Sequence, residues 1–328
     1  MEEFRAIEFQ RTRDFSRKLN ATFEFIRQNF KSLGKSILFI AGPSVLVGSV
    51  LGGSFMGEFL SLSRSAQSDP NIFSNYFLTA GFWLQLALMF LFFTVSFVVA
   101  IATINCYLML YDKKKTNKIE VSEVWNMVRE TFWSYFGTSI LFFILFIIAY
   151  IVLLIPIIIL GNISGFLIFF GVVIIVGGLV FLFFSSSLTY FIQVYEKKNF
   201  VDALSRSFRL INNGKWWSTF GLITILYLIM MTVSYIFIMP YYAVLLTESL
   251  HSVSTGTLAE PSAGWSIWTI VFFTLYYMAQ MFMYALPNVG IAFQYFNLVE
   301  LKEAKGLMNQ IESIGQDSAN TNRPEEHY

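Results

Sequence analysis

Acidic and basic side chains are nearly absent from the long apolar stretches of this 328-residue chain. Charged residues make up 13% of the sequence and apolar residues 56%, with a mean hydropathy of +0.61. A soluble domain is about 25% charged, so an ordinary soluble fold is excluded. The one cysteine, Cys106, lies inside an apolar stretch. A lone cysteine excludes an internal disulfide and a thiolate metal cluster. The two histidines, His251 and His327, are too far apart in sequence to share a metal-ligand motif. No phosphate-binding glycine loop or nucleophile elbow is present. Glu58, Asp69, Glu248 and Glu260 show no spacing typical of a catalytic carboxylate pair. The chain is therefore read as non-enzymatic, with no cofactor, no metal and no nucleic-acid partner. Its first 35 residues lack the apolar core of a secretory signal, so the first apolar segment is expected to direct insertion.

Six apolar segments are present, at about 36–60, 77–111, 137–160, 165–195, 218–247 and 265–299. Glu58 is the one charged residue within them. A bilayer core of roughly 30 Å needs about 20 helical residues. As a single helix, residues 77–111 would run about 52 Å, so such spans must tilt, kink or project. Pro287 and Gly290 predict a kink in the last span. The four residues 161–164 make a tight hairpin of the third and fourth. Tail residues 315–328 are nearly devoid of apolar side chains and predict disorder.

The basic residues are sorted by side. Eight precede the first segment, five follow the second, five follow the fourth and three follow the sixth; only Arg64 lies in an odd-numbered loop. Positive charge beside a span stays cytoplasmic, which places both termini inside.

The chain reads as three copies of one unit, a cytoplasmic amphipathic helix followed by two spans. At an offset of 84 residues, Tyr111, Lys113 and Lys114 match Tyr195, Lys197 and Lys198, with Asp112 against Glu196. Trp133, Ser134, Phe136 and Gly137 match Trp217, Ser218, Phe220 and Gly221, and Pro156 matches Pro240. The first copy shares Gly34, Ser36, Ile37, Leu38 and Phe39 with Gly137, Ser139, Ile140, Leu141 and Phe142. The predicted fold is an all-α integral membrane protein of six transmembrane helices in three repeats. Its parts are an N-terminal amphipathic helix (1–35), a first hairpin (36–111), a second repeat (112–195), a third (196–299) and a C-terminal helix and tail (300–328).

Helical spacing sets the apolar faces. They are Phe15, Leu19, Phe23, Ile26, Phe30 and Leu33 in the first helix, and Val121, Val124, Val128 and Phe132 in the second. In the third they are Phe200, Leu204, Phe208 and Ile211. Asn199 with Asp202 predicts a cap for the third, and Gly214 its end. Basic amphipathic helices of this kind are expected to lie in the headgroup plane.

Several features bear on function. Mitochondrial solute carriers also have three two-span repeats, but here Pro43, Pro156 and Pro240 are not followed by their acid and base. Gln85, Asn105, Gln193, Gln280, Asn288 and Gln294 are polar residues within spans. They read as interhelical hydrogen bonds, with Gln280 and Asn288 as candidates for lining a cavity beside Pro287. Gly48-x-x-x-Gly52 and Gly53-x-x-x-Gly57 fit either homodimerisation or packing within the bundle, and packing is favoured. Arg206, Arg209 and Lys215 beside Trp216 and Trp217 form a candidate contact for anionic lipid headgroups on the cytoplasmic face. Positive-inside charge with an aromatic belt gives the same pattern.

The third unit reads Asp202-Ala203-Leu204-Ser205-Arg206-Ser207-Phe208-Arg209-Leu210, then Gly214-Lys215-Trp216-Trp217. This resembles the repeated element of bacterial six-span proteins related to the membrane domain attached to some glycerophosphodiester phosphodiesterases. The match covers about 20 residues; units one and two lack the Arg-Ser pair. The resemblance implies a bacterial inner-membrane fold. It does not imply phosphodiesterase activity, which in those enzymes belongs to a separate soluble barrel. The leading expectation is an inner-membrane scaffold or complex subunit with a membrane-protein partner. The alternative is binding or transport of a lipid or small apolar solute between the long even-numbered helices.

Overall fold

The computed structural model describes residues 5–66, 71–255, 263–304 and 308. Asp69, Glu260, His327 and the tail 315–328 lie outside these residues, as do the side chains of Glu248 and His251. Among the described residues every regular element is a helix: α1 (Phe15–Ser36), α2 (Gly42–Ser65), α3 (Ile72–Phe77), α4 (Ala80–Lys114), α5 (Val121–Ile163), α6 (Ile168–Ser186), α7 (Thr189–Tyr195), α8 (Phe200–Ile211), α9 (Trp216–Thr255), α10 (Ala263–Met283) and α11 (Ala285–Glu303), with a π-helical turn at Ile37–Ala41 and a 3₁₀ turn at Gly165–Leu167. Six stretches among the described residues are long and apolar enough to cross a membrane: Phe15–Ser63, Ala80–Lys114, Val121–Ile163, Gly165–Tyr195, Trp216–Thr247 and Ile267–Glu303.

Where the chain bends, its residues give the cause. Pro43 has no N–H for the carbonyl four residues earlier, and the helix ahead of it widens into the π turn Ile37–Ala41. Pro287 likewise cannot bond Met283, and α10 ends there; α11 begins at Ala285. The Asn288 side-chain amide donates to the neighbouring Tyr284 O at 2.8 Å. The kink predicted at Pro287 is therefore present, one turn earlier than the proline itself.

Separate amphipathic helices were expected in all three units; only the third is set off by a turn. Asn212, Asn213 and Gly214 (φ +77°) break α8 from α9. Nothing comparable interrupts residues 132–137, so amphipathic segment and span form the single 43-residue α5, about 65 Å long. Helix α1 starts at Phe15, later than the expected first residue, and is joined to α2 by the π turn.

The apolar face of α1 is reversed from the usual soluble arrangement. Phe15, Phe23 and Phe30 are exposed, Phe30 at 66%. The buried line is Lys18, Thr22, Phe25, Asn29, Leu33 and Ser36. A polar inward face and an apolar outward one suit a helix whose solvent is lipid.

The chain divides into two compact units. One comprises Ile26–Val152 and Thr224–Val289. Here α2 is the small-residue partner of α4 and α10. A Cβ on Gly52 would lie 3.0 Å from the Phe93 ring, and one on Gly53 would lie 2.9 Å from Ile270 Cα. Gly57 has open space. Gly52 and Gly53 are thus accounted for by packing inside the unit. Tyr107 OH donates to Asn29 Oδ1 (2.9 Å) and is 2.6 Å from Ser32 Oγ, fixing α4 against the end of α1.

The other unit comprises Met1–Phe25, Leu153–Ile223 and Gly290–Tyr328. Gly171 and Gly178 let α6 close on the end of α5: their Cβ positions fall within 3 Å of Ile157 and Leu153. An irregular arm precedes α1. Phe9 is buried among Phe25, Phe293 and Phe296, and Arg13 N donates to Asn297 Oδ1 at 2.7 Å. Burial, with Arg11 nearby, lowers the Arg13 pKa from its usual value.

Candidate functional site

A polar constellation lies in this unit, where α7, α8 and α11 meet. Its construction starts with a kink. Helix α6 stops at Ser186 and α7 starts at Thr189. The backbone groups freed there are met by one buried hydroxyl: Ser207 Oγ donates to Ser185 O (2.7 Å) and accepts from Leu188 N (3.3 Å). Ser185 Oγ in turn donates to Asn212 Oδ1 at 3.2 Å. Asn199 caps α8, accepting from Asp202 N at 2.8 Å. Asn199→Ala is expected to lower stability by about 1 kcal/mol, read as a drop in thermal midpoint.

Beside Ser207, Arg206 is 8% exposed. Its Nε donates to Glu196 Oε1 (2.5 Å) and its Nη2 to Glu303 Oε1 (2.8 Å). Glu196 also accepts from Tyr295 OH (2.7 Å) and pairs with Lys198 Nζ (2.9 Å). Burial alone would raise the Glu196 carboxyl, but the bonds from Tyr295, Lys198 and Arg206 outweigh it and hold the pKa below the ordinary value. Burial likewise works against the Arg206 guanidinium, and the two carboxylates more than offset it. Lys302 Nζ donates to Arg209 O, closing the far end of α8 against α11. Phe191, Tyr195, Tyr295 and Phe296 stack around the cluster with ring centroids 5.1–5.7 Å apart. The Arg-Ser pair is therefore a clamp: Ser207 fills the kink, and Arg206 ties the end of α7 to the end of α11.

This divides the lipid-headgroup candidates. Arg206 faces inward and is fully engaged with carboxylates, so it is not a free headgroup contact. Trp216 also turns inward, stacked on Phe181 and Phe220. Arg209, Lys215 and Trp217 face outward, Trp217 at 77% exposure. Trp133, 84 residues earlier, is 74% exposed. Of the cavity candidates, Gln280 is half-buried, while the Asn288 amide serves its own helix. Gln294 instead carries an interhelical network, accepting from Lys18 Nζ at 2.6 Å and donating to Thr219 Oγ1 at 2.7 Å.

Glu196, Glu303, Tyr295 and Lys18 escaped the sequence reading. For Glu196 the signal was its match to Asp112; for Lys18 it was the polar line Lys18, Thr22, Asn29 and Ser36 opposite the phenylalanines. Among the described residues no group of three or more His, Cys, Asp or Glu side chains is placed to hold a metal. Comparison with protein-family models, curated proteins and solved structures finds no match.

Proposed function

We propose that this protein is a non-enzymatic scaffold, or a subunit of a membrane-protein complex, in the bacterial inner membrane with both termini cytoplasmic. The observation that carries the reading is the division of labour on α8. Its inward charge is consumed by Glu196 and Glu303, while Arg209, with Lys215 and Trp217 just beyond the helix, is held outward on a clamped element. A rigid basic and aromatic surface is suited to docking a partner. The threefold repeat is supported by the ends of the even-numbered spans: Lys115, Lys197 and Ala304, at the ends of α4, α7 and α11, are the non-glycine residues with positive φ among those described. The resemblance of the Ala-Leu-x-Arg-Ser element supports the same class of membrane domain.

A photo-crosslinking residue at Val201 or Trp217, both exposed, tests this in native membranes. The expected result is one protein adduct at a fixed ratio to the chain. Adducts with lipid alone would favour the second reading, handling of lipid or a small apolar solute. That reading is favoured by the outward Phe15, Phe23 and Phe30 of α1, flanked by exposed Arg27, Lys31 and Lys35.

A further inference from the structure

We infer that Lys18, Lys215 and Ser218 form a binding site for a phosphate group. This rests on the lipid reading above and gives it a headgroup site at Lys18. Lys18 is 2% exposed. Its Nζ donates to Gln294 Oε1 at 2.6 Å and to Ser218 Oγ at 3.1 Å, both neutral acceptors. An ammonium has three donors; among the described residues the third has only the Phe15 ring, whose centroid is 6.0 Å from Nζ and which offers no lone pair. Asp14, the nearest acid in sequence, is highly exposed and pairs with Arg17 at 3.7 Å.

A buried cation without a counter-charge is strongly disfavoured. The contrast within the same unit is Arg206, which has two carboxylates. Lys18 instead has Lys215 for a neighbour, whose charge opposes its own more than the exposed Asp14 supports it. Lys215 and Ser218 stand on one turn at the start of α9: Thr219 N and Thr219 Oγ1 both donate to Lys215 O, each at 3.0 Å. Residues three apart on a helix share a face, so the exposed Lys215 and half-buried Ser218 open the niche to the surface. Gln294 is fixed by its bond to Thr219 Oγ1, which holds Lys18 at the base. The leading N–H groups of α9 have no carbonyl ahead of them and favour negative charge. Two ammonium groups, a hydroxyl and a helix start together match the acceptors of a phosphate, whether on a lipid headgroup or free in solution.

The test is thermal stabilisation of the full-length protein in detergent by inorganic phosphate and, separately, by short-chain phosphatidic acid. Wild type should be stabilised. Ser218→Ala and Lys215→Gln should each weaken the effect about tenfold, with Lys18→Gln abolishing it if that variant folds. Protection by phosphatidic acid alone assigns a lipid headgroup; protection by both assigns any phosphate. No protection of wild type, or protection unchanged in Ser218→Ala and Lys215→Gln, overturns the site. If those two leave lipid protection intact while Arg209→Gln removes it, the lipid reading stands and this inference falls.

Discussion

Arg206→Ala is expected to destabilise the protein by about 2 kcal/mol, because it removes the guanidinium that joins Glu196 to Glu303 and leaves Glu196 with Lys198 and Tyr295 alone. Both carboxylates are held against α8 by that one side chain, at 2.5 and 2.8 Å. Arg206→Lys should recover only part of the loss, since a point ammonium cannot reproduce the guanidinium fork. Adding Glu196→Gln to the alanine variant should restore more, by removing the charge left with fewer partners. Thermal unfolding and hydrogen exchange in α8 would report all three. The pH dependence follows from the same cluster. A carboxylate held below its unfolded pKa stabilises the fold above that unfolded value, and the contribution is lost as pH falls through the folded one. Wild type should therefore lose stability as pH drops below the ordinary glutamate pKa of about 4.3, and Glu196→Gln should flatten that limb.

Gly53→Val is expected to cost about 3 kcal/mol, at the upper end of ordinary overpacking. The added Cβ would meet Ile270 Cα at 2.9 Å, and a backbone atom cannot rotate out of the way. Gly57→Val, with nothing within 4 Å, should change stability by less than about 0.5 kcal/mol. The pair also separates packing from homodimerisation. A dimer built on Gly53-x-x-x-Gly57 would be weakened by either substitution, whereas intramolecular packing is broken only by the first. Thermal midpoints together with sedimentation in detergent give both readouts.

The spans were legible because a long charge-free apolar run has few alternatives to a membrane helix. The break between α8 and α9 was legible in Gly214, and the α10–α11 break in Pro287. Val124 and Val128 of the expected face of α5 are buried, but on α1 and α8 periodicity did not reveal which face points inward. Phe15, Phe23 and Phe30 mark a face of α1 correctly, but that face is outward. On α8, Ile211 of the expected face is buried but Phe200, Leu204 and Phe208 are only half-buried, while Ala203, Arg206, Ser207 and Leu210 join Ile211 on the core side. In water an apolar stripe points inward; beside lipid it has no such preference, and hydrogen bonding decides the face. That is why a basic residue taken for a headgroup contact is instead a clamp. Glu303 lies 97 residues from Arg206, and no local pattern joins them.

Extraction of the native protein into lipid nanodiscs, followed by intact-mass measurement, tests the scaffold account most directly. The account predicts the 37.7 kDa chain in a complex with one other membrane protein at a fixed ratio, and loss of that complex with Arg206→Ala. The chain recovered without a protein partner, carrying lipid only, would contradict it.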